Sequence, residues 1–127
     1  MIFPSKEEIE FFGQPEAREF FGARWEPSLG DFLALPEGGY DVAGLELLVI
    51  LAYDRTQTTW LPRPDQLIEM LEEKVALGDL WFELRGPTFS EDCRYILDID
   101  TGVPEEKRQY IGPTPAIALA LALMEIG

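Results

Sequence analysis

The chain contains no histidine. That absence removes Ser-His-Asp and Cys-His catalysis, histidine proton shuttles and every zinc site that needs imidazole. Cysteine is almost as scarce: Cys93 stands alone, which excludes an internal disulfide and CxxC redox chemistry. Positive charge is thin, with 10 Lys and Arg against 24 Asp and Glu and a net charge of −14. Phosphate-backbone binding depends on clustered Lys and Arg, so direct nucleic-acid contact is not expected, and an anionic membrane surface repels such a chain. The longest apolar run, residues 116–124, is about half of the roughly 18 residues of a spanning helix. The opening MIFPSKEEIE has no basic region followed by an apolar stretch, so no signal peptide is expected. The glycines form neither GxGxxG nor GxxxxGK with Ser or Thr, which removes the common phosphate loops. A cytoplasmic protein without a cofactor is the expectation.

What is present is enough apolar material for a core: 46% of 127 residues. This length fits a single domain, 1–127, read in three stretches: a short helical segment over 1–24, strands and turns over 25–61, and a more regular unit over 62–127. Ser5-Lys6-Glu7-Glu8 is a capping-box pattern. Ile9 and Phe12 then share a face, and Gly13 ends the turn. Pro15 restarts a helix that carries Phe20 and Phe21. Helices this short must dock their phenylalanines on something.

Residues 31–35 read as a short strand closed by the turn Pro36-Glu37-Gly38-Gly39. The run 45–53 reads as a buried strand, with a buried helix as the alternative. Asp54-Arg55-Thr56-Gln57 looks like a turn, and Thr58-Thr59-Trp60-Leu61 favours a strand. Beyond it, Pro64 and Asp65 open a helix whose apolar stripe is Leu67, Met70, Leu71 and Val75, stopped by Gly78. Residues 80–85 alternate, with Leu80, Phe82 and Leu84 opposed to Trp81, Glu83 and Arg85. Residues 93–100 alternate again, with Cys93, Tyr95, Leu97 and Ile99 opposed to Arg94, Ile96, Asp98 and Asp100. A hairpin through 86–92 joins them, and 109–111 supplies a third strand. Thr114 caps a last helix with Pro115 as its first residue. The fold class is therefore α+β. Residues 62–127 form a helix-strand-strand-strand-helix unit, both helices are available to cover the sheet, and the N-terminal short helices and strands pack on it.

The last helix is apolar all round. Ile117, Leu121 and Met124 form one stripe, and Leu119, Leu123 and Ile126 form another on nearly the opposite side, so both sides require cover. One lies on the sheet. The other falls to the phenylalanine-rich turns or to a second copy of the chain, which makes Ile117, Leu121, Met124, Leu119 and Leu123 the candidate protein interface. Burying three further large aliphatics is worth roughly 5–9 kcal/mol.

Candidate chemistry is sparse. Only carboxylates are available to a metal. Glu83, Asp98 and Asp100 would share the outer face of the first hairpin and suit Mg²⁺ or Ca²⁺, although Arg85 and Arg94 beside them make a solvated, charge-paired face the simpler expectation. No catalytic residue is assigned. Cys93 reads as a small core residue, because Arg94 points to the other side of its strand. Trp25, Trp60 and Trp81 would stack on bases only within a basic groove, so they read as core or interface. Acidic side chains at Glu7, Glu8, Glu10, Glu16 and Glu19, and at Glu69, Glu72 and Glu73, supply charge for an imitation of a phosphate array.

Trp60-Leu61-Pro62-Arg63-Pro64-Asp65-Gln66-Leu67, continuing Ile68-Glu69-Met70-Leu71, resembles a Trp-Leu-Pro-Arg-x-Asp-Gln-Leu segment of small phage and prophage proteins of Gram-positive bacteria. Trp25-Glu26-Pro27-Ser28-Leu29-Gly30-Asp31 is similar to their Trp-x-Pro-x-x-Gly-Asp entry to a first strand. The close, Gly112-Pro113-Thr114-Pro115-Ala116, is similar to that of phage α/β/α-sandwich domains. The resemblance implies origin and carries no reaction, cofactor or binding residue with it. Helix, three strands and helix is also the order of double-stranded-RNA-binding domains, but the charge has the wrong sign and the helix start lacks a lysine cluster. The expected function is a non-catalytic acidic protein that binds another protein, with a homo-oligomer through the last helix in view. The alternatives are an acidic DNA-mimic-like inhibitor of a nucleic-acid-binding protein and a carboxylate- and metal-dependent enzyme.

Overall fold

The computed structural model describes residues 4–26, 28–35, 39–44, 59–76, 81–86, 94–100 and 108–126. The expected elements at 45–53 and 54–57, together with Cys93, lie outside the described residues. The class is α+β, with two antiparallel three-stranded sheets. The chain divides into two compact units, Met1–Arg63 and Pro64–Gly127.

In the first unit, α1 (Lys6–Phe12) begins as its sequence indicates. The Glu8 amide donates to Ser5 Oγ at 3.2 Å, and Ser5 Oγ donates to Glu8 Oε1 at 3.2 Å. Gly13 ends it in a right-handed conformation, its amide donating to the Ile9 carbonyl, so the stop comes from the following Gln14-Pro15 rather than from a left-handed glycine. Pro15 opens α2 (Pro15–Arg24). Phe12 and Phe21 are fully buried and meet edge to face at 5.3 Å. Both helices pack against β3 (Thr59–Leu61), the apolar surface these short segments require.

The sheet of this unit runs β2-β1-β3, with β1 (Phe32–Ala34) in the middle and β2 (Tyr40–Val42) beside it. Tyr40–Val42 was not singled out by the sequence pattern. It exists because Gly39, at φ +82°, lets the chain turn and its carbonyl accept from the Leu35 amide at 3.1 Å.

The entry to β1 is tied down by a buried carboxylate. Asp31 is fully buried, and its Oδ2 accepts from Trp25 Nε1 at 2.9 Å, from the Ser28 amide at 2.9 Å and from Ser28 Oγ at 3.3 Å. Gly30 turns at φ +88°, and Arg63 Nη1 reaches its carbonyl at 2.9 Å. Trp25 and Trp60 stack nearly parallel with centroids 6.0 Å apart. The Trp-Glu-Pro-Ser-Leu-Gly-Asp and Trp-Leu-Pro-Arg segments, far apart in sequence, thus form one knot. Both indoles are buried in it, so they present no platform to a base.

In the second unit, α3 (Pro64–Ala76) buries Leu67 and Leu71. Strands β4 (Trp81–Arg85), β5 (Tyr95–Asp100) and β6 (Arg108–Gly112) form a sheet in that order. The register sets Glu83 opposite Asp98, and Asp98 opposite Gln109. Leu97, Ile99 and Tyr110 point inward and are buried. Helix α4 (Pro115–Ile126) starts where expected, the Ile117 amide donating to Thr114 Oγ1 at 3.2 Å. It packs on β5, β6 and α3.

That arrangement supplies the second cover for α4. One side lies on the sheet, and the amphipathic helix α3, whose own stripe needs burial, packs on it as well. Of the two helices, α4 lies on β5 and β6, and α3 packs chiefly on α4. The approach is close at the start of α4, where a Cβ added to Gly112 would lie 2.8 Å from the Ala118 nitrogen.

Candidate interaction surface

A sheet with its helices on one side leaves the other side to be explained. On this sheet the outer positions are Glu83 and Arg85 on β4, Ile96, Asp98 and Asp100 on β5, and Gln109 and Ile111 on β6. Strand alternation puts them there once Leu97, Ile99 and Tyr110 are committed to the core. Asp98 sits at the centre of a polar network: Arg85 is ion-paired to its Oδ2, and Gln109 Nε2 donates to its Oδ1 at 3.0 Å. Both partners of the ion pair are well exposed, so the pair contributes about 0–1 kcal/mol and serves to orient the face. Next to this network, Ile96 and Ile111 are cross-strand partners. Ile96 is half-buried, whereas Ile111 is 44% exposed, one of three large apolar side chains so exposed among the described residues. The others, Leu29 and Val42, belong to the first unit.

The three sequence-predicted carboxylates stand at outer positions of the register, and Glu83, Asp98 and Asp100 help to line a groove of about 860 Å³ together with Phe82, Ile99, Arg108 and Gln109, residues of both faces. They do not make a metal centre: among the described residues, no group of three or more His, Cys, Asp or Glu could hold a metal ion. The physical reason is the commitment of both Asp98 oxygens to Arg85 and Gln109. Hard cations need several carboxylate or carbonyl oxygens turned inward together.

The predicted interface residues on α4 are placed differently. Ile117, Leu119 and Leu123 are buried within the chain, whereas Leu121 and Met124 are half-buried. Only the last two remain within reach of another molecule. Of the acidic residues on α1 and α2, Glu7, Glu10, Glu16 and Glu19 are exposed. Glu8 is buried and bonded to Ser5, which takes it out of any row of surface charge.

One titratable group near the sheet is displaced from its ordinary value. Burial raises the Tyr110 hydroxyl above the usual 10.0; the Glu125 carboxylate pushes in the same direction, and Arg108 partly opposes it. Arg108 and Glu125 themselves pair at 2.9 Å, joining the start of β6 to the end of α4.

Sequence reasoning missed the exposure of Ile111. The signal was the parity of β6: Tyr110 reads as its best core residue, which forces Ile111 outward. No protein-family model, curated protein or solved structure matches the chain. Among the described residues, no helix is long and apolar enough to cross a membrane.

Proposed function

We propose that this chain is a non-catalytic binding protein of the phage or prophage type its Trp-Leu-Pro-Arg segment resembles, acting in the cytoplasm on another protein through the outer face of the β4-β5-β6 sheet. The observation that carries the reading is the exposed Ile111 beside Ile96 on a sheet face whose polar side chains are already oriented by the Arg85–Asp98–Gln109 network. An exposed apolar side chain beside polar groups already held by one another is what a protein interface offers. The face adjoins a core built by α4 and α3, so binding there asks for little rearrangement.

The test is affinity capture from a lysate of the bacterium that carries the gene, using the full chain and its Ile111→Lys, Glu83→Lys and Leu29→Lys variants. A partner retained by the parent chain and by Leu29→Lys, and lost with the two sheet-face variants, supports the reading. Capture that is indifferent to both sheet-face substitutions overturns it. A captured nucleic-acid-binding protein released by charge reversal on α1 and α2, and not by Ile111→Lys, would establish the mimic in its place.

A further inference from the structure

We draw no further inference here: the strongest candidate, the groove of about 860 Å³ that Glu83, Asp98 and Asp100 help to line on the β4-β5-β6 sheet, is an acidic cluster of the surface already described, and nothing in the structure shows what fills it.

Discussion

The buried carboxylate of Asp31 offers the sharpest test of how the first unit is held together. Asp31→Ala removes the acceptor of Trp25 Nε1, the Ser28 amide and Ser28 Oγ. Ser28 is exposed, so its two donors recover hydrogen bonds with water at little cost. The Trp25 indole is 2% exposed and cannot turn to water. Stranding a buried donor costs about 1–3 kcal/mol, and a hydrogen bond to a charged acceptor is worth about 1.5–3 kcal/mol. Asp31→Ala should therefore destabilise the protein by about 2–4 kcal/mol, a large part of the 5–15 kcal/mol typical of a folded chain. The neighbouring indole supplies an internal control. Trp60 stacks on Trp25 and is similarly buried, but its Nε1 has no hydrogen-bond partner among the described residues. Trp60→Phe then loses packing and relieves an unsatisfied donor, whereas Trp25→Phe loses packing and the bond to Asp31. The difference should be about 1.5 kcal/mol or more, Trp25→Phe being the costlier. In the double variant, the Asp31 and Trp25 effects should couple by about 1–2 kcal/mol. Urea denaturation followed by far-ultraviolet circular dichroism measures all four quantities without relying on the indoles that are being replaced. Coupling below about 0.5 kcal/mol, or Trp60→Phe as costly as Trp25→Phe, would refute the reasoning.

Three further outcomes follow from single features of the second unit. Tyr110 has a folded-state pKa above its unfolded value of 10.0, so its contribution is fully present below that pH and is lost as pH rises through the folded value; Tyr110→Phe should flatten the alkaline loss of stability in melts taken between about pH 9 and 12, and an unchanged pH dependence would count against it. Gly112→Ala places a Cβ 2.8 Å from the Ala118 nitrogen, a backbone atom, and should cost about 1–3 kcal/mol, read as a fall of several degrees in Tm; a Tm equal to the parent's would mean that β6 and α4 are not in such close approach. Titration calorimetry with Mg²⁺, Mn²⁺ and Ca²⁺ should show no saturable binding at about 1 mM, a concentration at which even weak calcium modules fill, because Asp98 is engaged by Arg85 and Gln109; tight binding abolished by Asp98→Asn would instead restore the carboxylate and metal reading.

The features legible in the sequence were those decided by neighbours along the chain. The cap at Ser5, the helix starts at Pro15, Pro64 and Pro115 and the cap at Thr114 each depend on three or four consecutive residues, and alternation alone placed Leu97 and Ile99 inside and Asp98 outside. The features that were not legible depend on pairings across distance. Asp31 looked like one acid among 24, and only the approach of Trp25 and the turn at Ser28 makes it the anchor of the first sheet. Arg63 reaches back to the carbonyl of Gly30, which turns two motifs into a single structure and gives the arginine of the Trp-Leu-Pro-Arg segment a structural task.

The same distinction explains where the apolar residues of the last helix are placed. The last helix was rightly read as needing cover on two sides, but composition cannot say which element supplies it, and attention went to the most apolar residues. Once α3 packs on α4 and the sheet takes the other side, Ile117, Leu119 and Leu123 are spent on the core. A surface for a partner must then be sought where an apolar side chain is left over after the core is complete. On β6 the three-residue strand expected at 109–111 was too short to fix a face, whereas its pairing with β5 is unambiguous: Tyr110 opposite the buried Leu97 obliges Ile111 to stand outside, opposite Ile96. The residue that best marks an interaction surface is therefore modest in sequence, and its significance comes from register: a one-residue slip of β6 would bury Ile111, expose Tyr110 and remove both the surface and the core position together.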